Sequence, residues 1–218
     1  MIKAPKIEKS KIETVFDNKY LKFYKMDCGN GLMYYQASRR DKDNLIALKA
    51  DEDYEKLLPD AVTCVLVIKT PGEEPRLYME HEFRYPTAHF LLSPPAGLID
   101  PSDAQSGEDP RILAAKREIK EETGVEVKAT DEIKVVSPLF FSTPGMTDES
   151  NAIVCATVEL PDLSSLTNDG AEGSECIDGY SLLTKDEAKA ILKKCTDEQG
   201  HYFSVFTWCI LMYFVYEM

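Results

Sequence analysis

The chain has 218 residues and a net charge of −13, with 44% hydrophobic and 29% charged residues, an ordinary globular balance. So acidic a chain is poorly suited to nucleic acid or an anionic membrane, since either requires a basic face. A phosphorylated small molecule is not excluded, because bound cations and a few local arginines reverse the field inside a cleft.

The first 57 residues read as an antiparallel β unit. Strand-like runs at 19–25 and 32–38 flank Asp27-Cys28-Gly29-Asn30-Gly31, and Asn-Gly between such runs predicts a hairpin. Residues 51–58 read as a linker. Ala61–Lys69 is a β-branched run suited to a central strand, and 77–83 is another strand, followed by Arg84-Tyr85-Pro86. Strands are also expected at 135–141, 152–159 and 177–183. Thr184 opens a Thr-x-x-Glu capping signal for a helix to residue 194. The uncharged run 202–216 is shorter than the roughly 20 residues needed to span a bilayer. Apolar all round, it fits a helix buried against a second domain or subunit.

No signal peptide stands at Met1-Ile2-Lys3, and the six cysteines (28, 64, 155, 176, 195, 209) show no C-x-x-C and no His at ligand spacing. Buried free thiols in a reducing, cytoplasmic setting are expected. His81, His89 and His201 form no cluster in the sequence, so ordinary surface or packing roles are expected of them.

The chemistry concentrates in Arg117-Glu118-Ile119-Lys120-Glu121-Glu122-Thr123-Gly124-Val125. Pro110 suits a first helical turn, Ser106 or Asp109 is suited to cap it, and Gly124 ends it. Ile112, Ala115 and Ile119 fall on one side, adjacent to an arc about 100° wide that carries Glu118, Glu121 and Glu122. Like charges so placed repel, and the helix dipole disfavours them near a C-terminal end. A hard divalent cation would neutralise them, whereas a solvated acidic face is the plainer alternative.

With those residues in view, the segment 97–125 resembles the Nudix box: Gly, five residues, Glu, seven residues, Arg-Glu-apolar-any-Glu-Glu-any-Gly-apolar. The second half matches at Arg117, Glu118, Ile119, Glu121, Glu122, Gly124 and Val125. The first half departs, since Gly97 and Arg117 stand 20 positions apart against 14, an insertion of six residues expected within 100–107. Asp109 stands where the pattern has its first Glu, with Glu108 adjacent as the alternative.

The resemblance covers roughly residues 60–194. It implies an α/β fold, a Nudix α/β/α sandwich with a mixed sheet, preceded by the small antiparallel β unit (1–57) and running through C-terminal helices (58–218). It implies Mg2+, with Mn2+ as a substitute, held by Glu118, Glu121, Glu122 and the Ala96 backbone carbonyl, with Arg117 in the catalytic group. The Glu82–Pro86 and Pro95–Asp100 stretches, together with Ser142–Glu149, resemble the ADP-ribose pyrophosphatase branch. By that resemblance Tyr20 and Tyr34 stack a base, Arg39 and Arg84 contact substrate, and Glu149 is the general base; for the tyrosines, ordinary strand packing stands as the alternative. The expected reaction takes ADP-ribose to AMP and ribose 5-phosphate in a homodimer whose N-terminal units exchange. Another nucleoside diphosphate derivative, or a non-catalytic sensing domain, remains the alternative.

Overall fold

The structure, a computed structural model, describes residues 5–105, 107–168 and 176–218. It divides into two units, one of Met1–Pro59 with Leu139–Ser150, the other of Asp60–Pro138 with Asn151–Met218. Ser106, one of the two caps expected from the sequence, lies outside the described residues.

In the first unit, β1 (Ile12–Asp17), β2 (Lys22–Asp27) and β3 (Met33–Ser38) form an antiparallel sheet in that order. The expected hairpin is present: Gly29, Asn30 and Gly31 all take positive φ, which only such residues adopt cheaply. β1 was not foreseen, because five of its six residues face solvent and leave no alternating apolar signal. Ile12, Tyr24, Met26 and Leu45 make the small core. In place of the expected linker, α1 (Asp51–Tyr54) forms a single helical turn. The segment before residue 150 docks on β3, with the Ala37 amide donating to the Met146 carbonyl at 2.9 Å.

In the second unit, seven strands form one mixed sheet: β4 (Ala61–Lys69), β5 (Arg76–Arg84), β6 (His89–Ser93), β7 (Ala96–Leu98), β8 (Glu132–Phe141), β9 (Ser150–Glu159) and β10 (Ile177–Leu183). The order is β10-β5-β4-β9-β8, with β6 on β5 and β7 on β4. β4 runs parallel to β9 and antiparallel to β5 and β7. Both faces of β4 are buried, as its unbroken apolar run requires. On one face Val62, Cys64, Leu66 and Ile68 meet Ala152, Val154, Ala156 and Val158 of β9 and the apolar side of α2 (Pro110–Thr123).

Two further helices complete the unit, α3 (Lys185–Lys194) and α4 (Val205–Glu217). The capping box at Thr184 is formed as the sequence predicts, Thr184 and Glu187 bonding reciprocally. α4 buries Thr207, Ile210, Leu211, Phe214 and Val215, yet leaves Trp208 and Tyr216 exposed. Its apolar sequence therefore covers one buried face and one open face. None of the helices is long and apolar enough to cross a membrane, among the described residues. All six cysteines are free, but only Cys64 and Cys155 are buried; Cys176 and Cys195 are exposed, which corrects the expectation of uniformly buried thiols.

Candidate active site

α2 presents the carboxylates, and its ends are fixed by chemistry legible in the sequence. Asp109 caps it, accepting from the Arg111 amide at 3.0 Å, with Pro110 in the first turn. Gly124 closes it at φ 73°, where a Cβ would lie 2.7 Å from the Ser165 carbonyl oxygen. Ala115 and Ile119 are fully buried, and Ile112 packs against the same core.

On the adjacent side Glu118 and Glu122 are buried, while the Glu121 side chain is 42% exposed. Arg117 draws Glu118 and Glu121 together: its Nη1 donates to Glu118 Oε1 at 2.7 Å and Glu121 Oε2 at 3.1 Å, and its Nη2 to the Leu98 carbonyl at 2.7 Å. Glu122 Oε2 accepts from the Ala96 amide at 3.0 Å, which ties the helix to β7. Gly97 sits directly against Glu118, since a Cβ there would come within 2.0 Å of the carboxyl carbon. Only glycine admits so close an approach.

The inserted stretch contributes a carboxylate that the sequence did not single out. Asp103, buried in a short helical turn, lies 3.4 Å from Arg117 Nη2, with Asp100 at 3.8 Å. By contrast, Asp109 is occupied with the cap and Arg111, and Glu108 lies 3.6 Å from Lys116. Burial works against the Arg117 charge, but Glu118, Asp103 and Glu121 outweigh it and raise its pKa. Burial likewise pushes the Cys64 thiol up, and Glu122, Glu118 and Glu80 add to the effect, so β4 and β5 share the acidic field. One guanidinium thus stands against the carboxylates of Glu118, Glu121, Asp103 and Asp100. That donor set, all oxygen and strongly negative, fits a hard divalent cation.

The remaining residues expected at the site are placed as follows. Arg84 closes β5, exposed, and pairs with Glu82. In the first unit, Arg39 Nε donates to Glu149 Oε1 at 2.6 Å and the Tyr34 hydroxyl donates to the Gly145 carbonyl at 2.8 Å. Tyr20 is 68% exposed in the turn between β1 and β2. The structure also separates the neighbouring acids: Asp148 is buried and accepts from the Ile46 amide, whereas Glu149 is a third exposed.

The expectation that the histidines form no cluster is overturned. The His81 and His201 rings lie tilted at 41° with centroids 4.7 Å apart, and both reach Asp197. Burial pushes the His81 imidazole pKa down, His201 reinforces the shift, and Asp197 opposes it. The sequence hides this group because 120 positions separate its two histidines.

The NUDIX domain family model matches residues 57–204, more than half of the chain. The chain is 32% identical over 102 residues to an ADP-ribose pyrophosphatase of Saccharomyces cerevisiae, covering 46% of this chain and 40% of that protein. It is 32% identical over 101 residues to an uncharacterised Nudix hydrolase of Schizosaccharomyces pombe, covering 46% of this chain and 44% of the relative. The match therefore spans less than half the length of these curated relatives. The crystal structure of an ADP compounds hydrolase shares the fold at a TM-score of 0.57 and 18% identity, covering 97% of this chain and 94% of that one. With its box helix, its mixed sheet and the matched span in agreement, this chain belongs to the Nudix family.

Proposed function

We propose that this chain is a Mg2+-dependent hydrolase of a nucleoside diphosphate derivative, with ADP-ribose split to AMP and ribose 5-phosphate. Mn2+ serves as a substitute cation. The observation that carries the reading is the placing of Glu118 and Glu121 on Arg117, with Glu122 of the same helix held on the Ala96 amide of β7. The ADP-ribose pyrophosphatase among the relatives supports the choice of substrate.

Glu118, Glu121, Glu122 and the Ala96 carbonyl would hold the cation. Bound there, it would withdraw charge from the diphosphate oxygens and acidify water. Arg117 keeps Glu118 and Glu121 aimed to one place. Glu149 takes the proton of the attacking water, a task for which a carboxylate outside the cation's ligands is the better base. Arg39, bonded to Glu149, orients that carboxylate until substrate arrives. Arg84 offers a planar guanidinium to the diphosphate, and Tyr20 and Tyr34 offer rings to the base. The exposed aromatics Phe23, Tyr34 and Tyr35 support a second copy of the chain as partner, giving a cytoplasmic homodimer.

The test is release of AMP from ADP-ribose by the purified chain under Mg2+, beside sugar nucleotides and dinucleotides. Preference for one of those would replace the substrate and leave the chemistry; no turnover of any would leave a sensing domain. Glu122→Gln should abolish the Mg2+ response, and full activity with unchanged Mg2+ dependence would overturn the metal assignment.

A further inference from the structure

A second group of ligand-bearing side chains lies in the larger unit and has no part in the hydrolysis proposed above. His81 comes from β5, whereas Asp197 and His201 come from the turn that joins α3 to α4. The turn is closed on itself: the Asp197 amide donates to the His201 carbonyl at 3.1 Å, and the His201 amide donates to Asp197 Oδ1 at 2.8 Å. It is also fastened to β6, through the Leu92 amide and the Tyr202 carbonyl at 2.9 Å. Side-chain freedom, not backbone freedom, therefore decides what these residues hold.

Asp197 Oδ2 lies 2.9 Å from His201 Nδ1 and 3.5 Å from His81 Nε2. The three ligand atoms all fall within 4.8 Å of one another. In a tetrahedral zinc site, with bonds of about 2.0–2.1 Å, ligand atoms stand about 3.3 Å apart. The two distances from Asp197, 2.9 and 3.5 Å, bracket that value, and the third pair lies within 4.8 Å.

Charge argues the same way. Asp197 and His81 are 5% and 3% exposed, so the carboxylate is out of water. Among the described residues no lysine or arginine pairs with the Asp197 carboxylate: Lys194 Nζ donates to the Asp197 backbone carbonyl at 3.2 Å, and the side chains on the carboxylate are two imidazoles. A buried carboxylate without a permanent positive partner is costly, and a divalent cation would supply the missing charge. Two imidazoles with one carboxylate suit zinc and its neighbours in the transition series, not magnesium. The Ser181 hydroxyl, 3.1 Å from His81 Nε2, is a polar partner beside the group, and the His201 side chain is 22% exposed, which leaves a path for an ion.

We propose that His81, Asp197 and His201 bind one divalent transition-metal ion of the zinc class, sharing no ligand with the carboxylates of α2. The ion ties the turn between α3 and α4 to β5, so its effect is on the rigidity of that corner.

The experiment uses the full chain, stripped with chelator and titrated with ZnCl2 or CoCl2, in wild type and in the double variant Glu118→Gln/Glu122→Gln. One equivalent of zinc should bind in the double variant and at least one in wild type, raising the thermal midpoint, and cobalt in the double variant should give the intense visible absorption of a tetrahedral site. In the double-variant background, His201→Ala and Asp197→Asn should each weaken zinc more than about 100-fold, beyond the effect of a lost outer partner. Should Asp197→Asn not fold, His201→Ala decides, at a partly exposed position. Wild-type zinc affinity in His201→Ala, or no zinc bound by the Glu118→Gln/Glu122→Gln chain, would overturn the proposal. Neither readout depends on hydrolysis, so failure here leaves the hydrolase reading untouched.

Discussion

Glu118 reaches the acidic cluster across the bare backbone of Gly97, and that contact separates binding from stability. In Gly97→Ala the new methyl group meets the end of a side chain, which can swing away. The fold should survive with little change in thermal midpoint, whereas Mg2+ affinity should fall by about tenfold or more. Isothermal titration beside a melting curve tests this, and equal losses in both would contradict it. Glu149 is the opposite case. Glu149→Gln should reduce turnover by roughly 10²–10⁴-fold and leave Mg2+ affinity nearly intact, as expected of a lost general base. Arg39→Ala frees Glu149 from its 2.6 Å ion pair, so a smaller loss is expected, confined to kcat if Arg39 only orients the carboxylate and extended to KM if it also meets substrate.

At the scale of the element, α2 depends on its two ends. Asp109→Ala removes the cap and should cost about 1 kcal/mol in denaturant unfolding. The Asp109 carboxyl titrates below its usual range, chiefly through its side-chain bond to Arg111, with burial opposing. A carboxylate whose folded pKa is depressed stabilises fully above its unfolded value near 3.9, and that contribution is lost as pH falls through the folded value. The side chain is a third exposed, so solvent screening keeps the effect small. Acid titration should therefore cost wild type a little more stability below about pH 4 than it costs Asp109→Ala.

Local signals of this kind are why α2 and α3 were legible in the sequence: Pro110, Gly124 and the Thr184–Glu187 box each act within a few residues. β4 and β10 were legible with their full bounds, β4 as an unbroken apolar run. β6 was legible only as a strand-like run ending at Pro94, without bounds, and β7, three residues within what reads as a loop, exists by pairing with β4. Three glutamates of the site were legible because one helix carries them. Asp103 was hidden in a helical turn too short to leave a periodic signal, and the His81–Asp197–His201 group in a meeting of distant segments.

For the whole molecule, a cation held by the acidic cluster would couple metal to stability. A cation that binds only the folded chain stabilises it by about 2.7 kcal/mol at 100 times its dissociation constant. Mg2+ should therefore raise the thermal midpoint of wild type but not that of Glu122→Gln, and chelator should reverse the rise. A last consequence follows from the parallel pairing of β4 with β9. Ala61 meets Asn151, so the surface on which α2 rests is assembled from strands 90 positions apart. Loop closure of that length must precede its contacts, so slow and late formation of this surface is expected. During synthesis the helix bearing the carboxylates leaves the ribosome well before the strand that completes its bed. A chain halted before residue 151 should expose α2 to protease, whereas one released at full length should protect it; the birth of the site is timed by a strand that contributes no ligand to it.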